Sequence, residues 1–409
     1  MDETLIRAGR LFDGESDTCR ERMFVAIQDE RIASVGPQSE LGSDLSARYA
    51  RIIDLGEDAT LLPGLINMHT HMSFSGGGSV FHDAVHDSDP VRMIRIIENL
   101  RMALASGVTT VRDCGTLPRL ALPVRDAIEQ GLLTGPRIIA SGAVTTTGGH
   151  CWYCATESDD EVSVRRAVRQ HVKDGVDFIK LFATGGNLTP GTNSIEPQFS
   201  GPELCAAAEE ARRLGMRTAS HAHGTAGVVN SINARVSTIE HCSFLSTGGI
   251  GWEETLAREI ADLGIFVCHT IFRGVAKFEG DPHYRFSESE KRQLEGSKAR
   301  LTLTRRLADA GVPLVAGNDA GVTHVGFADF PSDLVLVAEG CGFSPGAVLR
   351  SATGVAADAL GRGDIGRIQV AASADLLAVA GDPSVDIRAI EATRLVMARG
   401  QVVLHRPEA

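Results

Sequence analysis

Pro63-Gly64-Leu65-Ile66-Asn67-Met68-His69-Thr70-His71 is the stretch on which the reading of this chain turns. Mostly apolar residues run into two histidines one residue apart. Side chains on a β-strand alternate between faces, so His69 and His71 point the same way. A buried strand ending in two histidines on one face supplies half of a metal site. Two solvated histidines at a polar strand end would carry the same letters, so partners elsewhere in the chain must decide.

Downstream, the sequence repeats a strand-then-helix pattern. Strands are expected at Leu61–His69, Val108–Asp113, Arg137–Ser141, Asp177–Ala183, Arg217–His221, Ser237–His241, Ile265–His269 and Pro313–Asp319. Apolar spacing near 3.6 residues predicts helices between them, among them Pro90–Ser106, Asp160–Asp174, Gly201–Leu214, Glu253–Leu263 and Ser287–Ala310. Eight such units predict an α/β fold, a (β/α)8 TIM barrel. A doubly wound open sheet ranks second, because no Gly-x-Gly-x-x-Gly turn follows the first strand. Short β-like runs flank the repeat at Thr4–Ala8, Met23–Gln28, Arg31–Val35, Arg51–Leu55, Ala374–Ala380 and Arg394–Leu404, the last broken by Arg399-Gly400. The expected organisation is a barrel over 62–360 and a small composite β-sandwich built from both termini, 1–61 and 361–409.

The 409 residues are 43% hydrophobic and 22% charged, an ordinary globular composition. A formal net charge of −12 disfavours nucleic acid or an anionic membrane as partner. No apolar run approaches the roughly 18 residues of a membrane span. The opening MDETLIRAGRLFDGESD lacks the basic and apolar regions of a signal peptide. Eight scattered cysteines form no disulfide framework, so a cytoplasmic protein with reduced thiols is expected, acting on a small molecule as a homo-oligomer. Cys151-Trp152-Tyr153-Cys154 has no second Cys-x-x-Cys to complete a structural zinc site and reads as a loop packed over a pocket.

Barrel enzymes carry their chemistry at the C-terminal strand ends. Here those ends present His69 and His71, Lys180, His221, His241 and Asp319. Neutral imidazoles and carboxylates suit divalent ions such as zinc. Lys180 lies in Asp177-Phe178-Ile179-Lys180-Leu181-Phe182-Ala183, an apolar strand in which a bare charge costs several kcal/mol. Either a nearby acid pairs with it, or CO₂ carboxylates it into an anionic bridging ligand.

The order His-x-His, Lys, His, His, Asp resembles the amidohydrolase superfamily. So do Leu62–His71, Gly107-Val108-Thr109-Thr110-Val111-Arg112-Asp113, Ile179-Lys180-Leu181-Phe182-Ala183-Thr184-Gly185-Gly186 and Gly317-Asn318-Asp319-Ala320-Gly321. Together these are similar to the prolidase-like branch, which hydrolyses dipeptides and N-acyl amino acids with two zinc ions. The resemblance implies that His69, His71 and Asp319 hold the more buried metal, and His221 and His241 the other. It implies that carboxylated Lys180 bridges both, along with a hydroxide formed at a pKa of about 7. Asp319 would take the proton and pass it to the departing amine. His150, in Gly148-Gly149-His150, resembles a substrate-side residue, with a surface loop histidine as the alternative. His223 stands where the branch usually has a tyrosine and is expected to contact the substrate's carbonyl or carboxylate. The loop Ala320-Gly321-Val322-Thr323-His324-Val325-Gly326-Phe327 also departs from the branch's wording. For His223, His269 and His324, specificity and simple packing both remain open.

His171, on a helix, and His283 and His405, in polar segments, read as solvated. His82 and His86 are candidates for a lid, with Ser73-Phe74-Ser75-Gly76-Gly77-Gly78 as its flexible part. Rival reactions on the same scaffold are opening of a cyclic amide, hydrolysis of a carbamate or lactone, and one-metal deamination. Lys180 disfavours the last, because deaminases of the family lack the bridging lysine. A non-catalytic barrel would have lost ligands that are all present here.

Overall fold

Every residue of Leu65–Thr70 is buried, as befits a barrel strand covered on both faces. The computed structural model describes residues 3–406 and builds a barrel of eight parallel strands that begins with this one. In chain order they are Leu65–Thr70, Val108–Asp113, Arg137–Thr145, Phe178–Phe182, Arg217–Gly224, Thr238–Ser246, Phe266–Cys268 and Leu314–Val315. Each pairs in parallel with the next. The eighth returns to the first through Met68 N–H to Ala316 O at 3.0 Å and His71 N–H to Ala320 O at 2.8 Å. A buried Asn67–Asn318 side-chain bond of 2.7 Å reinforces the seam.

The expected strand at Leu61–His69 is two strands. Ala59–Pro63 joins the terminal sheet and Leu65–Thr70 the barrel, with Gly64 at the break. A Cβ there would lie 2.1 Å from Thr109 Oγ1, so only glycine lets the chain cross between the sheets at this point.

The expected helices lie at Asp89–Ala105, Glu161–Asp174, Gly201–Arg213, Glu254–Asp262 and Glu288–Asp309. Asp160 starts the second with a capping box, its side chain accepting from Ser163 N–H. Helices at Pro118–Glu129, Thr225–Asn233 and Phe330–Cys341 follow the second, fifth and eighth barrel strands. The first contains Pro123, a helix-breaking signal. The third is apolar round most of its axis, with Glu339 and Gly340 exposed on the remaining side, so its amphipathic stripe is weak.

Both termini meet in one sheet, because Ala59–Pro63 pairs antiparallel with Leu376–Ala380. Thr4–Leu11 pairs with Arg51–Asp54 along its first half and with Ala59–Pro63 at its end, so the sheet branches there. Ile6, Leu11, Val25, Leu61, Leu376 and Leu395 share its core, each worth about 1.5–3 kcal/mol on full burial. Among the described residues, no helix is long and apolar enough to cross a membrane.

His171 departs from expectation. It is on a helix but buried, with Nε2 3.2 Å from both Ala143 O and Thr156 Oγ1. Helix Glu161–Asp174 turns this residue toward the third strand, where a partnered imidazole fills the interface.

Candidate metal centre

His69 stands next to last in the first barrel strand and His71 follows that strand; Asp319 lies in the loop after the eighth. The seam between those strands brings the three together. His69 Nε2 lies 3.4 Å and His71 Nε2 3.2 Å from the same oxygen, Asp319 Oδ1. From the fifth and sixth strands, His221 Nδ1 faces His241 Nε2 at 2.9 Å. The His69 and His241 ring centroids are 5.1 Å apart, so the two pairs form one cluster.

Backbone geometry aims these groups. Strict alternation would send Glu240 and His241 to opposite faces. His241 instead has φ +70 and Cys242 φ +46, and this left-handed step turns consecutive residues toward the same centre. Asp319, at φ +59, is likewise held in a conformation that a side-chain-bearing residue rarely adopts.

In His69, His221 and His241 the partner of the outer nitrogen decides which inner nitrogen keeps a lone pair, while His71 Nδ1 is buried without a partner. Glu240 Oε2 lies 2.7 Å from His69 Nδ1 and fixes the proton there, freeing Nε2. Gly185 O lies 3.1 Å from His221 Nε2 and, being only an acceptor, fixes the proton there and frees Nδ1. His241 Nδ1 meets Thr270 Oγ1 at 2.7 Å, leaving Nε2 to the interior.

Electrostatics agree with ligation. Burial and the nearby Lys180 ammonium push His69 down to about 4. Burial and the neighbouring imidazoles, His223 first, hold His221 and His241 well below the usual histidine range. Burial opposes the charge of Asp319, but His69, His71 and Lys180 outweigh it and keep its carboxyl below the ordinary value. Neutral imidazoles beside an ionised carboxylate form a donor set suited to divalent metal.

His69 Nε2, Asp319 Oδ1 and Lys180 Nζ are buried without a hydrogen-bond partner. Such orphans are costly unless something else satisfies them, and their convergence fits a metal. No carboxylate lies within ion-pair distance of Lys180 among the described residues, so the acid-paired reading of this fully buried lysine gains no support. His69, His241 and Asp319 form one group whose ligand atoms lie within 4.8 Å of one another; His221, His223 and His241 form a second. His223, expected on the substrate side, therefore also lies at ligand distance.

His150 is buried against the centre, its ring 4.8 Å from that of His221. It is no surface loop residue. A Cβ at Gly186 would meet its ring at 2.4 Å, so the second glycine of Gly185-Gly186 makes room for it. His223 stacks on His241 at 4.3 Å, with Nδ1 3.0 Å from Ser243 Oγ. His269 is buried, with Nδ1 accepting from Ile271 N–H. His324 lies 3.5 Å from Glu290 and edge-on to Phe278 at the barrel mouth.

His82 and His86 are exposed on a short helix, Val80–His86. The loop before it is tied down: Gly76 N–H donates to Gly321 O at 2.8 Å and His324 N–H to Gly76 O at 3.1 Å. Cys151, Tyr153 and Cys154 pack on Phe74 and Phe182 beside the centre, with both thiols free. His283 and His405 are exposed.

Glu240 and Arg112 were missed in the sequence. Arg112 Nη2 donates to Glu240 Oε1 at 2.6 Å, its Nη1 to Thr238 Oγ1 and its Nε to Met68 O, all inside the barrel. The available signal was the one used for Lys180: a charged residue within an apolar strand.

The amidohydrolase family model matches residues 60–403. The ochratoxinase of Aspergillus niger is 27% identical over 436 residues, covering 96% of this chain and 84% of that protein. The crystal structure of a Xaa-Pro dipeptidase with methionine in its active site is 30% identical with a TM-score of 0.85, covering 98% of this chain and 100% of that one. A prolidase complexed with N-methylphosphonate-L-proline is 27% identical with a TM-score of 0.84, covering 99% and 100%.

Proposed function

The chain belongs to the amidohydrolase family and is a hydrolase acting on carbon–nitrogen bonds, and from that premise we propose that it cleaves the amide bond of a dipeptide or N-acyl amino acid. The observation that carries the reading is the convergence of two imidazole pairs on one buried centre. His69 and His71 meet at Asp319 Oδ1, and His221 meets His241, beside a lysine without a partner.

His69, His71 and Asp319 would hold one divalent ion and His221 and His241 a second, with a CO₂-carboxylated Lys180 between them; zinc suits these donors. Bound there, the ions would acidify a water toward neutrality and polarise the scissile carbonyl.

The remaining work belongs to the chain. Asp319, ionised and 14% exposed at its side chain, takes the proton of the attacking water and returns it to the leaving nitrogen. His150 and His223 flank the His221–His241 pair and offer N–H donors to the oxygen that gains charge. The Phe74–Tyr153 wall beside His71 keeps that side of the pocket dry, which strengthens these contacts. The Xaa-Pro dipeptidase and prolidase relatives support a substrate with an amide between two amino-acid units; ochratoxinase supports the fold and the family.

The test is to load the metal-free protein with zinc, count ions per chain and screen dipeptides, N-acyl amino acids, cyclic amides, carbamates and esters. Two ions and turnover of a dipeptide or N-acyl amino acid are expected. Turnover confined to a cyclic amide, carbamate or lactone would overturn the substrate. One ion with ammonia release would point to deamination.

A further inference from the structure

Arg300 is the partly buried cation that the centre leaves unexplained. It projects from helix Glu288–Asp309 toward the end of the seventh barrel strand. A single nitrogen, Nη2, makes all of its hydrogen bonds: to His269 O at 2.8 Å, Thr270 O at 2.7 Å and Thr270 Oγ1 at 2.5 Å. No carboxylate lies within ion-pair distance of it among the described residues, and Nε and Nη1 donate to nothing there. Neither is among the fully enclosed unpartnered atoms, so both keep some exposure, while the guanidinium carbon lies 5.8 Å from the centre of the Phe272 ring.

That edge lies beside the centre. Thr270 Oγ1 bonds Arg300 on one side and His241 Nδ1, 2.7 Å away, on the other. His223 stacks on that same His241 ring. The Arg300 charge is felt by His223 and His241, both of which it pushes downward, and by Asp319. Asp319 Oδ1 faces His69 and His71, and its carboxylate lies beyond ion-pair distance of the guanidinium.

A guanidinium keeps its charge under all ordinary conditions and presents a planar fork matched to a carboxylate. A half-covered guanidinium with no acid beside it and two N–H groups unspent is placed to receive an anion. We propose that the open Nε–Nη1 edge of Arg300 binds the free carboxylate of the substrate's C-terminal residue and so selects substrates that end in an acid. This rests on the dipeptide or N-acyl amino acid reading and adds to it the group that recognises the leaving amino acid. Nη2, anchored on the strand end, fixes the plane of the fork before substrate arrives, which lowers the ordering cost of binding.

The test compares an N-acetyl amino acid of apolar side chain with its carboxamide, in wild type, Arg300→Met and Arg300→Lys. Wild type should prefer the acid by about 10- to 100-fold in kcat/KM, the worth of one charge-assisted pair. Arg300→Met should erase that preference through KM, the acid losing about 10- to 100-fold more than the carboxamide. Arg300→Lys, a point charge without the fork, should keep part of it. A merely structural role through Thr270 would slow both substrates alike. An amidated substrate with a side-chain carboxylate tests the other source of the anion, and acceptance equal to the terminal acid would overturn the assignment.

Calorimetric titration with a reduced-amide dipeptide, ended by acid or by carboxamide, separates this inference from the reading beneath it. Acid-selective binding that is lost in Arg300→Met, without turnover of any peptide or N-acyl amino acid, leaves Arg300 standing and overturns the substrate. Turnover with an unchanged acid preference in Arg300→Met overturns Arg300 alone. Equal binding of both analogues to wild type overturns it as well.

Discussion

Glu240 lies 2.7 Å from His69 Nδ1 with one carboxylate oxygen and 2.6 Å from Arg112 Nη2 with the other, so one buried acid both sets the tautomer of a candidate metal ligand and neutralises a guanidinium. Burial opposes its charge, but Arg112 and His69 outweigh this and hold its carboxyl well below the usual range. The pair links the stability of the barrel interior to the chemistry at its mouth.

Glu240→Gln should therefore fail in two ways. Its amide can accept from Arg112 only by turning an NH₂ toward His69 Nδ1, which moves the imidazole proton to Nε2 and removes the lone pair. Metal affinity should fall about 10- to 100-fold, as for other groups that orient ligands. Arg112, left buried without its anion, should cost about 3–5 kcal/mol. Metal titration against a chromogenic chelator, beside thermal melting, measures both effects. Unchanged affinity would show that His69 does not need Glu240 to ligate.

Lys180 and Asp319 should separate metal binding from turnover. Lys180→Ala removes the bridging group and should lose metal, with partial rescue by added short carboxylic acids. Asp319→Asn keeps a donor oxygen but not the proton carrier. It should retain metal while kcat falls about 10²- to 10⁴-fold. Elemental analysis beside activity checks both variants. Full metal occupancy and a normal rate in Lys180→Ala would sink the bridging role.

The barrel was legible because its strands are apolar runs that end in groups an apolar strand does not tolerate cheaply. His69, Lys180, His221 and His241 are all found buried within or at the end of their expected strands. What escaped depends on departures from regular geometry. Glu240 next to His241 breaks alternation, and only the left-handed φ at His241 explains how both reach the centre. Phe330–Cys341 is apolar round most of its axis and gives only a weak helical stripe. His171 stands at the next position of the stripe Val164, Ala167, Val168, so its face is legible and only its polarity suggests solvent. The loop over the first strand looked flexible from its glycines, yet its backbone pairs with the loop after Asp319.

His150 and His223 should differ from the ligands in what they cost. His150→Ala should lower kcat about 10²- to 10³-fold at unchanged metal content, the loss of one donor to developing negative charge. His223→Phe preserves a ring to stack on His241 but no nitrogen. It should show a similar loss with both metal equivalents kept. Since His223 also lies within 4.8 Å of the His221–His241 ligand atoms, the loss of one metal equivalent in His223→Phe would reassign it as a ligand.

Asp333 should give the chain a measurable pH dependence of stability. It lies on the buried helix Phe330–Cys341, accepting from Asn318 Nδ2 and Arg273 N–H, both at 2.8 Å. Burial pushes its carboxyl from 3.8 up to about 7 against these two bonds. Between those values the folded chain keeps a proton that the unfolded chain has released. The contribution is therefore fully present below about pH 4 and is lost as the pH rises through about 7, by at most roughly 1.4 kcal/mol per pH unit. Asp333→Asn keeps one accepting oxygen and cannot titrate. It should be the less stable protein at pH 5, and the gap should narrow or reverse by pH 8. Parallel melting temperatures for the two proteins across that range would show that Asp333 is ionised throughout in the folded chain.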